Sequence, residues 1–240
     1  MRIGTWNLKL CPPRDWPRGR SIAAWLDAQE ADLWLLTEVH PDWDPGRMAV
    51  SPPRSHDPDQ PKRWAGIRTE LPLTELPADT SHPGEEGLVL ARVEVDETSV
   101  LVACSVLPWK GCGLYWRGLP EGQFAQFRSV LDHHVARITA ARRPGESLVW
   151  GGDMNQELTP PLWAGTNDGA ATLRGAFEYL GLVPLTQGLA HLKGHSHAID
   201  HLAVSAGLLV ERVEMHRPQA DGKDLSDHAA YTADVVLPRS

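Results

Sequence analysis

The sequence predicts an α+β domain in which two sheets pack face to face with helices outside. Three observations predict it. Short apolar runs of strand character recur throughout the 240 residues, few segments carry helical periodicity, and neither a repeat nor a linker divides the chain. A chain of this length can bury a large core without dividing, and 42% hydrophobic residues with 10 Trp supply one, so residues 1–240 read as a single domain.

Ile3, Trp6 and Leu8 place a short strand at the start. Ser21 is expected to cap a helix carrying Ile22, Trp25, Leu26 and Gln29 on one face. Leu33-Trp34-Leu35-Leu36 is too short for a helix; running into Thr37-Glu38, it reads as a strand covered on both faces. Residues 41–86 mix Pro, Gly and charges of both signs, which predicts long surface loops with one strand near Ala65–Arg68. Leu88–Val95 and Val100–Leu107 form a predicted antiparallel hairpin about Asp96-Glu97-Thr98. Phe124, Phe127, Leu131, His134 and Ile138 recur at spacings of three and four, marking a long amphipathic helix that Pro144-Gly145 stops. Leu148-Val149-Trp150 is another buried strand, leading into Gly151-Gly152-Asp153-Met154-Asn155. A shorter helix about Leu173, Phe177 and Leu180 ends at Gly181, and strands return at Ala198–Val204, Leu208–Met215 and Tyr231–Leu237.

Composition excludes some functions. No apolar run reaches the roughly 18 residues a membrane span needs. The N-terminus enters a strand pattern without a charged-then-apolar signal region, and the 3 Cys are too few and irregular for a disulfide framework or a zinc knuckle. A cytoplasmic protein is the reading that follows. The net charge of −8 argues against affinity drawn from a broad basic face, but not against an enzyme that meets phosphate through a bound cation.

The chemistry gathers where buried strands give way to loops: Asn7, Glu38, Asp153 and Asn155, then Asp200 within an apolar strand, then Asp227-His228 before the last strand. Buried carboxylates are costly unless they are paired or bind metal. Their hard oxygens suit Mg2+ or Mn2+, and a nearby His-Asp pair could assist attack on a phosphoryl group. Singly, Glu38 reads as a strand end, Gly151-Gly152 as an ordinary turn, and Asp200 with His228 as a structural pair. Their co-occurrence in order turns all of them toward a site.

Thr5-Trp6-Asn7-Leu8, Leu36-Thr37-Glu38, Gly152-Asp153-Met154-Asn155, Ile199-Asp200-His201 and Leu225-Ser226-Asp227-His228 stand in the order of a known family. On these segments the chain resembles the endonuclease/exonuclease/phosphatase superfamily, which includes pancreatic-type DNases and abasic-site endonucleases. The resemblance implies a four-layer αββα sandwich of two mainly antiparallel sheets and metal-dependent cleavage of phosphate esters. It also implies roles: Glu38 as principal metal ligand with Asn7 beside it, Asp227 at the metal or a second metal position, and Asp153 and Asn155 holding the attacking water and the phosphate. Asp153 is the candidate general base. His228 would hydrogen-bond the scissile phosphate, oriented by Asp200.

One departure stands out. Family nucleases usually carry a His or Tyr where this chain has Ser105 and Val106, and neither is a comparable acid. Trp109, Lys110 or Tyr115 could reach in from the next loop, and Lys110 is preferred because a cation offsets phosphate charge. Arg54, Lys62, Arg63 and Arg68 cluster about Trp64 and read equally as a backbone-gripping loop or a solvated one. His191, His195, His197 and His201 invite a zinc reading, but without a compact Cys/His set they are better taken as phosphate-contacting or solvated. Trp109, Lys110, Arg63 and His197 are the expected substrate contacts. The leading function is a monomeric, Mg2+- or Mn2+-dependent phosphodiester hydrolase acting on DNA or RNA. A small-molecule or lipid-head-group phosphoesterase (inositol phosphate, sphingomyelin or nucleotide) is the runner-up, and a binding module that has lost catalysis is the third reading.

Overall fold

Two apolar runs set the layering, because each sends alternate side chains to opposite faces and both faces are covered. In Leu33–Val39, Leu33 and Leu35 enter one core, while Trp34 and Leu36 enter another. In Ser147–Asp153, Val149 shares the first core, while Leu148 and Trp150 face a third. The computed structural model describes residues 1–44, 47–57, 59, 61–192 and 196–238, and these two runs lie inside separate six-stranded sheets. His195 lies outside the described residues.

Strands are numbered along the chain. The first sheet has the order β11 (Leu209–His216), β14 (Ala230–Val236), β1 (Arg2–Asn7), β2 (Leu33–Val39), β4 (Arg63–Thr69), β3 (Met48–Val50). The second has the order β5 (Leu73–Glu75), β6 (Leu88–Val95), β7 (Thr98–Val106), β8 (Ser147–Asp153), β10 (Asp200–Ser205), β9 (Leu182–Pro184). A small ribbon joins β12 (Gln219–Ala220) to β13 (Lys223–Asp224). Among the described residues only β1–β2 and β7–β8 run parallel; the other pairs are antiparallel.

Each parallel pair is bridged by a helix, α1 (Pro17–Asp27) in the first sheet and α2 (Gln123–Ala141) in the second. Ile22, Ala23 and Leu26 of α1 pack on Trp6, Trp34 and Leu36. Phe127, Leu131 and Ile138 of α2, with Leu173 and Phe177 of α3 (Asn167–Tyr179), cover Leu148 and Trp150. Between the sheets Ile3, Leu35 and Ile67 meet Val102, Val149 and Leu202. The result is a four-layer αββα sandwich, as expected. Among the described residues no helix is long and apolar enough to cross a membrane.

Three local expectations are corrected. Ser21 does not cap α1; the helix begins a turn earlier at Pro17, behind Trp16, and Ser21 Oγ donates to Pro17 O at 3.1 Å. Proline suits this first position because its fixed φ is helical and its missing N–H has no partner to lose. Gln29 falls past the helix end. Residues 41–86 hold three strands rather than one, and Arg68 shows why the pattern hid them. Its guanidinium is buried in β4, with Nε 2.6 Å from Asp44 Oδ2 and Nη2 2.7 Å from Asp27 Oδ1, so a charge that reads as surface is paired inside. The predicted β6–β7 hairpin closes over only Asp96-Glu97, both at positive φ (45° and 69°), the mirror-image turn that matches strand twist.

Candidate active site

β1 and β2 are parallel, so Asn7 and Glu38 emerge at the same end of the first sheet. In the second sheet Asp153 ends β8, and Asp200 begins the antiparallel β10 directly opposite it. The two ends meet at one rim of the sandwich. There Asn7 Nδ2 donates to Glu38 Oε1 at 3.2 Å and to Asp153 Oδ2 at 2.9 Å, so one buried amide joins a carboxylate from each sheet. The second Glu38 oxygen accepts from Leu10 N at 2.8 Å, and Asp153 Oδ1 accepts from Asn155 N at 3.0 Å. Asn155 is itself fixed by its Nδ2, which donates to Leu107 O at 2.9 Å. Glu38 holds φ at 57°, a left-handed conformation that costs about 1–3 kcal/mol and clusters at functional sites. Gly152 is more than a turn residue. It lies inside β8 at φ 125°, where an added Cβ would sit 2.0 Å from Ser105 O, so only glycine lets β8 approach β7 before Asp153.

Across from the carboxylates, His228 Nδ1 lies 2.7 Å from Asp200 Oδ2, with Asp200 wholly buried and its Oδ1 without a hydrogen-bond partner. Ser226 ties this loop to the first sheet: its Oγ donates to Asn7 O at 2.7 Å and accepts from His228 N at 3.2 Å. Arg18 of α1 donates to the carbonyls of both Leu8 and Leu225, bracing the same junction. Ser226 stood inside a motif without a role, and Arg18 had no local signal at all.

Burial sets the electrostatics. It pushes the Asp153 carboxyl up to about 7, helped by the nearby Asp200 charge and opposed by His228 and the Asn donors. Burial by itself would lower His228, but Asp200, with Asp153 and Asp227 behind it, outweighs that and carries the imidazole up to about 10. Among the described residues neither Glu38 nor Asp153 has an ion pair with Lys or Arg. Two oxygen-donor carboxylates held together by an amide, with no cation between them, fit a hard divalent ion. His191, Asp200 and His228 also offer ligand atoms within 4.8 Å of one another, the His191 ring standing edge-on to His228 at 5.2 Å.

A cleft of about 450 Å³ opens over these groups. Glu38, Asp153, Asn155 and His228 line one side; Arg54 and Lys62 with Trp64, Trp109, Tyr115 and His56 line the other. Val106 lies in the lining, paired in register with Asp153. Trp109 stands in the lining as expected, whereas Lys110, Arg63, His197 and Asp227 stand outside it. Lys110 is exposed and outside the lining, and Arg63 donates to the Pro61 and Lys62 carbonyls instead. His197 donates its backbone N–H to buried Glu157, and Asp227 is half-exposed and paired with Lys9 at 3.2 Å. His201, another of the histidine series, braces the Asn155 loop through Gln156 O at 2.8 Å.

An αββα sandwich with carboxylates and an Asp-His pair at one rim defines a class of phosphoesterases. The chain belongs to the Endonuclease/Exonuclease/phosphatase family, which it matches over residues 4–228. Among solved structures it is similar to the endonuclease domain of TRAS1, a telomere-specific non-LTR retrotransposon, at 17% identity over 99% of both chains with a TM-score of 0.68. It is also similar to an AP endonuclease from Archaeoglobus fulgidus, at 13% identity over 99% of this chain and 100% of that one, with a TM-score of 0.68. A third likeness is to a mannosyl-6-phosphatase from Bacteroides thetaiotaomicron, at 14% identity over 99% and 100%, with a TM-score of 0.64. Comparison with curated proteins finds no match. At these identities the likenesses show the fold.

Proposed function

We propose that this chain is a divalent-metal-dependent phosphodiester hydrolase acting on DNA or RNA. The observation that carries the reading is the Asn7 amide bridging Glu38 and Asp153, facing the Asp200-His228 pair over one cleft. Glu38 would hold Mg2+ or Mn2+, which when bound supplies charge to polarise a phosphoryl oxygen. Asn7, expected as a second ligand, instead orients the Glu38 carboxylate through its Nδ2, while its Oδ1 accepts from Lys9 N at 2.8 Å. Asp153, whose proton affinity lies close to neutrality, accepts the proton of the attacking water. Asn155 keeps Asp153 aimed through its backbone N–H. His228, charged through its contact with Asp200, turns Nε2–H to the phosphate and holds its negative charge. Two of the similar solved structures are of endonucleases, and the aromatic and basic wall suits a nucleotide strand.

A second reading, a phosphoesterase of small molecules, is favoured by the cleft, whose 450 Å³ matches small-ligand pockets. Labelled single- and double-stranded DNA and RNA, with Mn2+ and with chelator, separate the two when run beside a panel of chromogenic mono- and diesters. Metal-dependent cleavage of a polymer that Glu38→Ala abolishes is the expected result. Cleavage of small esters alone would favour the second reading, and full activity in Glu38→Ala would remove the metal assignment.

A further inference from the structure

We propose that Arg54, seated on Trp64, is an anion subsite for a second phosphate of the substrate, beside the one hydrolysed, and that the group carrying it is a nucleotide. This rests on the hydrolase reading above and narrows its substrate.

Arg54 is 6% exposed, and its guanidinium carbon lies 4.9 Å from the Trp64 ring centroid. Arg68, equally buried at 7%, is answered by Asp44 and Asp27. Arg54 has no such answer: among the described residues it forms no ion pair, and its Nε lacks a hydrogen-bond partner. The charges of Asp57, Glu38 and Glu86 reach Arg54, Asp57 most strongly, but among the described residues none pairs with it. Glu86 accepts from Ser55 N–H and Oγ, and Glu38 from Asn7 and Leu10. A guanidinium taken out of water without a carboxylate is unfavourable, and the Trp64 face offsets only part of that. The remainder acts toward the cleft, which Arg54 lines together with a second cation, Lys62. An anion entering from solvent meets both.

The scissile phosphate belongs at the Glu38, Asp153 and His228 wall, so the Arg54 wall is left for a neighbouring phosphate. Beside it the aromatic rings continue outward. Trp64 meets Trp109 edge-on at 5.4 Å, and Trp109 stacks near Tyr115 at 6.2 Å and 27°, with Tyr115 47% exposed. Such a wall accepts a planar ring on its face whatever its sequence. A phosphate adjoining a planar ring, one unit away from a phosphodiester, is a nucleotide.

The test compares wild type, Arg54→Gln, Arg54→Lys and Lys62→Gln on two substrates with Mn2+: a 5′-phosphorylated dinucleotide and bis(p-nitrophenyl) phosphate, which has no second anion. Arg54→Gln should lower kcat/KM for the dinucleotide relative to the chromogenic diester by about tenfold or more, chiefly through KM, with Arg54→Lys recovering part. Equal loss on both substrates, or none on the dinucleotide, overturns the proposal. Lys62→Gln covers the case in which Arg54→Gln does not fold; a dinucleotide KM raised about threefold supports the subsite and an unchanged KM opposes it. If wild type hydrolyses neither substrate, the hydrolase reading fails and the subsite is judged by calorimetric titration of metal-free protein with the dinucleotide. Binding weakened about tenfold in Arg54→Gln sustains it; equal affinity, or none in wild type, overturns it. Inorganic pyrophosphate competing as well as the dinucleotide would overturn the nucleotide assignment.

Discussion

Asp200 is wholly buried, and one of its oxygens meets His228 Nδ1 at 2.7 Å while the other has no hydrogen-bond partner. The pair therefore depends on charge as well as geometry, and Asp200→Asn separates the two. The amide can still reach Nδ1, but it no longer holds a proton on the ring. Burial, which opposes the charged imidazole, then prevails, and His228 should titrate near or below 6.5 instead of near 10. Turnover at neutral pH should fall about 100-fold, as for loss of an orienting partner. NMR titration of the imidazole beside kcat checks both outcomes; a ring still charged at pH 9 in the variant would sink the account. Asp200 and His228 were legible in the sequence because each stands in a short motif at a strand boundary. Arg54 was not. Its burial depends on Trp64, ten positions away, and on a loop path that no local periodicity records.

Helix α2 was predicted from an apolar stripe that included His134, and the residue is indeed buried on that face. The stripe could not reveal its partner. His134 Nε2 lies 2.9 Å from Gly84 O, in the 3-10 turn Pro83–Gly87 before β6, where Glu85 also meets His133 and Arg137. This contact joins α2 to a segment expected to be surface loop, and its polar side chains are what made the segment look exposed. Burial pushes His134 down to about 3, so the folded protein keeps it neutral. The unfolded chain protonates it near 6.5, so stability is retained above that pH and lost as pH falls from about 6.5 toward about 3, at up to about 1.4 kcal/mol per pH unit. His134→Gln removes this contribution. Denaturant melts of both proteins across that range should converge toward low pH, whereas parallel curves would show that His134 does not set the acid limb.

At the scale of the whole molecule, the site sits at one rim, where the two sheets meet through polar side chains. The sheets meet through an apolar core along most of their length, but at the rim Glu38 from one and Asp153 from the other face a shared amide, with the charged His228 nearby. Burial opposes the Asp153 charge at this rim, and the left-handed Glu38 backbone adds strain. A divalent cation bound here to the native state would offset those costs by joining the two sheets. At about 100 times its dissociation constant such an ion adds about 2.7 kcal/mol, which for a protein of this size raises Tm by about 5–10 °C. Glu38→Ala removes the proposed ligand together with the carboxylate that accepts from Asn7 and Leu10. The variant without metal should therefore melt about 2–4 °C below wild type, and gain nothing from Mn2+ while wild type gains the full shift. Scanning calorimetry with Mn2+ and with chelator distinguishes these outcomes: an equal metal-induced rise in both proteins would place the ion elsewhere, and no rise in wild type would remove the cation from this rim.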